Sequence, residues 1–196
     1  MSAEGPKSRI SERVESIQPS AIRKFFDLAN EMKGQVISLS IGEPDFVTPW
    51  SIREAGIYSL EKGYTHYSPN TGYKILRKEI ASYMKQRFSL VYNPDHEILV
   101  TVGGSEAIDL AFRTLLNPGD EVIIPEPSFV AYNSLATLTG AVPVPIATKP
   151  EEDFRLTAAA LEAAITEKSK LLVLAYPNNP TGGTMSRQDL EALLPI

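Results

Sequence analysis

Residues 98–102 (ILVTV), 122–124 (VII) and 171–175 (LLVLA) are short apolar runs with no polar alternation. Each meets a glycine or proline within two residues of its end. A strand written this way is covered on both faces, which is the situation in a parallel sheet with helices on either side. Segments of helical period lie between and before these runs, over residues 51–62, 75–88, 105–116, 129–138 and 157–166. Over residues 75–88 the expected apolar side is Ile75, Leu76, Ile80, Tyr83, Met84 and Phe88, and Leu161 sits in the middle of the last segment. Strands alternating with helices give an α/β fold with a mostly parallel sheet and flanking helices.

The remaining segments refine that outline. Residues 142–146 (VPVPI) read as a strand whose two prolines cannot donate ladder bonds, so it is expected at a sheet edge. Ser186-Arg187-Gln188-Asp189 resembles a capping box and opens a last helix just before Ile196. Nearer the start, residues 1–20 are polar and aperiodic and read as an arm or loop. Residues 21–33 have helical period, and residues 36–40 (VISLS) form a strand candidate that runs into Ile41-Gly42-Glu43-Pro44-Asp45-Phe46.

Composition narrows the function classes. The formal net charge of −5 is a mild acidic balance and argues against a nucleic-acid or membrane-surface role, for which a basic face is expected. No stretch approaches the roughly 20 apolar residues of a membrane span, and the opening MSAEGPKSRI lacks the apolar core of a signal peptide, so the expectation is a cytoplasmic protein. The chain has no cysteine, which removes disulfides and thiolate chemistry. Its two histidines, His66 and His96, are too far apart in sequence to suggest a metal cluster.

Three segments are candidates for chemistry. Gly103-Gly104-Ser105 joins an apolar run to a helix. A helix N-terminus offers unpaired N–H groups and a partial positive charge, so the junction reads either as a phosphate cradle or as a plain turn. Pro177-Asn178-Asn179-Pro180-Thr181-Gly182 follows a strand, where ligands of open α/β sheets bind. It reads as a rigid loop that presents an asparagine or as a turn only. The carboxylates of Glu43 and Asp45 read as an acid/base pair or, more simply, as solvated loop residues. Two Ser-x-x-Lys matches, Ser59 to Lys62 and Ser82 to Lys85, lack the companion motifs of serine acyl enzymes and read as solvated helix faces.

Five segments together resemble one family. They are Ile41 to Phe46, Tyr67 to Tyr73 (YSPNTGY), Gly103 to Ile108 (GGSEAI), Asn117 to Val122 (NPGDEV) and Pro177 to Gly182 (PNNPTG), in the order and spacing of class I/II pyridoxal-phosphate-dependent aminotransferases of the type I fold. The resemblance implies an enzyme that moves an amino group between an amino acid and a 2-oxo acid, with pyridoxal 5′-phosphate as cofactor, working as a homodimer. It also implies that residues 1–47 are an N-terminal arm and small-domain segment, and that residues 48–196 are the first part of a large cofactor-binding domain.

Site roles follow from the resemblance position by position. Gly103, Gly104, Ser105 and Glu106 fall on the phosphate turn, and Phe129 falls where a ring stacks on the pyridine. Asn179 falls on the asparagine that binds the ring oxygen beside the substrate. Gly42 falls where backbone meets the substrate carboxylate. Tyr67 falls on the tyrosine that reaches the phosphate in the neighbouring subunit. The Schiff-base lysine, the aspartate that protonates the pyridine nitrogen and the carboxylate-binding arginine are expected beyond Ile196. The 196-residue chain is therefore expected to be inactive and to hold the cofactor weakly at most. The family's sheet places three later strands between residues 98–102 and 171–175. The first run is thus expected to lack a sheet neighbour, and the chain to be poorly stable with exposed strand edges.

Other functions remain open on this sequence. A carbon–sulfur lyase or an aminocyclopropane-carboxylate synthase of the same fold shares these motifs, and a non-catalytic cofactor-binding module would need only the phosphate turn. A Rossmann-like nucleotide binder would need a third glycine and an acidic ribose ligand, for which Glu126 is the nearest candidate.

Overall fold

In a computed structural model of the protein, residues 9–17, 31–32, 42 and 44–196 are described. The strand expected over residues 36–40, Glu43, and nearly all of the helix expected over residues 21–33 lie outside the described residues. The chain forms two compact units, one of Met1–Ala21 with Gly103–Ile196 and the other of Ile22–Val102.

The first unit holds a helix of one turn, α1 (Glu12–Glu15), and a longer helix, α4 (Gly104–Leu115). These are followed by β1 (Glu121–Glu126), α5 (Ala131–Thr139), β2 (Val142–Ala147), α6 (Ala158–Ala164), β3 (Ser169–Leu172) and α7 (Arg187–Glu191). The second unit holds α2 (Trp50–Glu61) and α3 (Lys74–Phe88). The expected arm thus contains the short helix α1, which packs against α5.

The strands form a parallel sheet in the order β2-β1-β3. Its hydrogen bonds show why the chain tolerates three prolines there. The Asp120 carbonyl accepts from Val142 N–H and the Glu126 carbonyl from Thr148 N–H, both at 2.8 Å, so even-numbered residues of both strands bond across the β1–β2 pair. Pro143 and Pro145 therefore turn their nitrogens to the open edge, where no donor is required. Glu121 N–H donates to the Lys168 carbonyl and Val173 N–H to the Ile123 carbonyl, both at 2.9 Å, so odd-numbered β1 residues face β3. Pro125 lies on that side, just past the last pair, Ile123 with Leu172. Its missing N–H ends the β1–β3 ladder.

Alternate β1 side chains serve opposite layers. Val122 and Ile124 pack with Phe112, Leu116, Ala136 and Ala141 beneath α4 and α5. Ile123 packs with Ile146, Leu156, Leu161 and Leu193 on the other face. All three are almost fully buried, and each burial contributes about 1.5–3 kcal/mol. This two-sided demand is why the strand carries no polar alternation. The capping box at α7 forms as expected: Ser186 Oγ accepts from Asp189 N–H, and the Asp189 carboxylate accepts from Ser186 N–H.

Three expectations need correction. Residues 98–102 form no strand; Leu99 and Val102 are exposed. A strand exists only as a pair, and the sheet consists of β2, β1 and β3. The strand expected over residues 171–175 starts earlier and spans only Ser169–Leu172, because Pro125 removes the partner bond beyond it. The helix expected from Phe129 begins at Ala131, leaving Phe129 in the preceding loop.

In the second unit, α3 buries Arg77, and the side expected to be apolar leaves Ile75, Leu76, Tyr83 and Phe88 exposed. Arg77 is 6% exposed. Its guanidinium donates to the carbonyls of Gly72 and Pro94 and lies 3.7 Å from the Asp95 carboxylate. It thereby joins the loop before α3 to the turn after it. Val100 N–H bonds the Thr71 carbonyl at 3.2 Å in the same region.

Arg77→Met removes a charged donor from two carbonyls and is expected to lower local stability by about 2 kcal/mol or more. Hydrogen exchange at the Val100 amide measures it, and an unchanged rate would refute the role given to Arg77. Acid offers a second test. The Asp120 carboxylate accepts from Asn117 N–H at 2.7 Å and pairs with Lys170 at 3.1 Å. Chiefly the Asn117 N–H, and then Lys170, hold its carboxyl below the ordinary aspartate range. A lowered folded-state value stabilises above the unfolded value, and that gain is lost as pH falls through the folded one. The urea midpoint of Asp120→Asn should lie below that of the wild type near neutrality, and the gap should close on acidification.

Candidate functional site

The phosphate-turn candidate has the geometry that its residues require. Gly103 adopts φ 88° and ψ 170° immediately before α4, a helix of 12 residues. That backbone conformation is open to glycine and strained for other residues. Gly103, Gly104, Ser105 and Glu106 are all exposed. A Cβ added at Gly103 or Gly104 would meet nothing within 4 Å, so the backbone here faces open space. Gly103 stands at the N-cap position, where it has no side chain to cap the helix, and Ala107 N–H, which bonds the Gly103 carbonyl at 3.4 Å, starts its ladder. The N–H groups of the first turn precede that bond and carry the positive end of the helix dipole.

Phe129 sits in the loop that leaves β1 and enters α5. Its ring meets Tyr132 edge-on, with centroids 5.7 Å apart and planes at 88°. The segment is drawn into a turn by Asn133 Nδ2, which donates to Glu126 Oε1 at 2.6 Å. That bond engages the acidic residue that the nucleotide-binding alternative would have used. α5 packs against α4, so one helix–helix contact links the loop of Phe129 with the glycine turn.

The third segment, residues 176–183, leaves β3. Its two asparagines differ. Asn178 is half-buried, and its Nδ2 donates to the Pro127 carbonyl at 2.8 Å and to Thr181 Oγ1 at 2.9 Å. Its main chain closes the loop, with Asn178 N–H bonding Gly183 O at 2.9 Å and Gly182 N–H bonding Asn178 O at 2.8 Å. Asn179 is exposed, and its side chain makes no hydrogen bond to a described residue. One asparagine builds the loop and the other is presented by it. Tyr176 Oη donates to the Phe154 carbonyl and accepts from Leu156 N–H, both at 3.3 Å. Burial raises the Tyr176 phenol above its ordinary value.

A small cleft opens beyond the last β1–β3 bond. Its walls include Pro125, Pro127, Tyr132, Phe154, Tyr176 and Asn178. Of the segments that the sequence singled out for chemistry, only residues 177–182 reach it, through Asn178, and none of the residues given a site role by the resemblance lines it. Asn178 and Thr181 lie in the loop that the sequence singled out, but the bonds that tie them together and to Pro127, and the part played by Tyr176, were not anticipated. The signal available was the pair of asparagines between two prolines, which does not say which of the two faces inward.

Gly42 and Tyr67 belong to the other unit and are exposed there; Tyr67 is fully so. Among the described residues the Ser-x-x-Lys serines make only local bonds. Ser59 Oγ donates to the Gly56 carbonyl, and Ser82 Oγ accepts from Gln86. Among the described residues no helix is long and apolar enough to cross a membrane.

A glycine turn opening a helix and an Asn-Pro-Thr-Gly loop beyond a parallel strand define an α/β protein built like the large domain of known aminotransferases. Aspartate aminotransferase from Thermus thermophilus with maleate superposes with a TM-score of 0.88 at 38% identity, over 95% of this chain and 50% of that one. Residues 34–196 match the aminotransferase class I and II family, and the chain belongs to it. YugH of Bacillus subtilis, itself named only provisionally as an aminotransferase, is 54% identical over 186 residues, or 95% of this chain and 48% of the relative. Aromatic-amino-acid aminotransferase 2 of Thermococcus litoralis is 43% identical over 94% of this chain and 47% of the relative. The chain spans about half the length of the relatives it matches.

Gly183 is closely packed in the third loop. A Cβ there would stand 2.7 Å from the Asp153 carbonyl and 3.1 Å from Thr181 Oγ1. Gly183→Ala must move backbone and is expected to cost about 1–3 kcal/mol. A thermal melt unchanged from wild type would show that the loop yields without cost.

Proposed function

We propose that this chain is the first part of a pyridoxal-phosphate-dependent aminotransferase that moves an amino group between an amino acid and a 2-oxo acid. The observation that carries the proposal is the Gly103 turn, which faces open space at the head of a 12-residue helix. It occurs within a sequence that matches the family over residues 34–196. The residues present fit the cofactor. A phosphate dianion suits the first-turn N–H groups of Gly104, Ser105 and Glu106, where the dipole favours negative charge and no Cβ at Gly103 or Gly104 obstructs approach.

When bound, pyridoxal phosphate supplies an electron sink for negative charge at the amino-acid α-carbon. The chain's own residues hold and orient it. The Gly103 turn fixes the phosphate, and Phe129 offers an aromatic face to the ring. Asn179, whose side chain makes no hydrogen bond to a described residue, offers its amide to the ring oxygen. The Gly42 backbone meets the substrate carboxylate. Exposed Tyr67 serves the phosphate of a second subunit, so the working form is a homodimer.

The test is a titration of the chain with pyridoxal 5′-phosphate and with pyridoxal. The phosphate ester is expected to bind and the free aldehyde to bind at least about tenfold more weakly, since each tenfold step is about 1.4 kcal/mol. Ser105→Asp places a like charge at the turn and should erase that preference. Equal binding of both ligands by the wild type would remove the phosphate turn from the proposal.

A further inference from the structure

The β1–β3 ladder ends earlier than the strands' extensions do. Its last bond is Val173 N–H to the Ile123 carbonyl. Pro125 is next on that side of β1 and has no N–H to offer. The two chains then separate around the cleft walled by Pro125, Pro127, Tyr132, Phe154, Tyr176 and Asn178. Among the described residues, the next hydrogen bond between the two extensions is Asn178 Nδ2 to the Pro127 carbonyl at 2.8 Å. The second N–H of the same amide goes to Thr181 Oγ1 at 2.9 Å, and Thr181 Oγ1 also accepts from Gly183 N–H at 3.1 Å. One side chain therefore locks the loop of β3 and ties it to the loop of β1. The tether lies two residues before Phe129 and one residue before Asn179.

We infer that Asn178 is a positioning residue for the cofactor ring: its amide sets the separation between Phe129 and Asn179 where the sheet can no longer do so. The inference rests on the cofactor site proposed above. Asn178 itself touches neither ring nor phosphate. The phosphate turn at Gly103 belongs to a different loop, held by the packing of α4 on α5. Loss of the tether should therefore weaken ring binding and leave phosphate binding alone, whereas simple loss of folding would weaken both.

The experiment compares pyridoxamine 5′-phosphate, which carries ring and phosphate, with inorganic phosphate. Both are titrated into the wild-type chain, Asn178→Ala and Thr181→Val, and followed by amide chemical shifts. For Asn178→Ala the Kd for pyridoxamine 5′-phosphate should rise about tenfold, the loss of one to two hydrogen bonds, with the Kd for phosphate unchanged. Thr181→Val removes only one arm of the amide and should show a smaller split in the same direction. If Asn178→Ala does not fold by circular dichroism, the split in Thr181→Val decides. Unchanged affinity for pyridoxamine 5′-phosphate, or equal loss for both ligands in a folded variant, overturns the inference alone. A wild-type chain that binds neither ligand overturns the cofactor site and this inference together.

Discussion

The burial of Val122, Ile123 and Ile124 in β1 is the constraint on which the first unit depends. These three side chains are its most deeply buried large ones and point alternately into its two cores. Each layer of helices is held by the same strand, so neither layer can form without it. Among the described residues the sheet is narrow, with β2 and β3 both at edges, and the central strand pairs with each of them. Asp120 and Glu121 extend its grip at the start, where they engage Lys170, Thr166 and Ser169 on the β3 side.

What lies beyond the carboxyl ends of β1 and β3 follows from where that strand stops pairing. Pro125 ends one ladder while Thr148 continues the other to Glu126. The loops of Phe129 and Asn179 are then free of sheet hydrogen bonds, which is the condition for presenting side chains to a ligand. It is also the condition for losing their relative position. Side-chain bonds replace the ladder there: Asn133 to Glu126, Asn178 to Pro127, and Tyr176 to the 154–156 backbone. Rigidity at the site is built from polar side chains because the backbone pattern has run out.

Much of this was legible in the sequence, for identifiable reasons. The apolar run at 122–124 has no reading other than a strand covered on both faces. Pro143 and Pro145, spaced by two, put both missing donors on one side and so forced an edge. Ser186 and Asp189 have the spacing of a capping box, a contact within one turn. Gly103 at the head of a helix was readable because its backbone conformation excludes most other residues. The failures share a cause too. Residues 98–102 look like a strand by composition, yet pairing depends on what lies beside them. Nothing in the sequence marks Arg77, and it is buried because carbonyls from two separate loops converge on it. The pattern shows that a helix face is apolar and does not show whether anything covers it, as the exposure of Ile75 and Leu76 makes plain.

The division between the two asparagines is the sharpest case. By itself the sequence determined the α/β class, the glycine turn, the edge strand, the capped last helix and membership of an aminotransferase-like pattern, because each is written in residues close together in the chain. Only the tertiary structure decided that Asn178 faces inward and Asn179 outward. The carbonyl that selects Asn178 belongs to Pro127, 51 residues earlier, and comes within reach only once β1 and β3 lie side by side. A local pattern can specify turns, caps and periods. A hydrogen bond between distant loops exists only after the hydrophobic core has placed their strands.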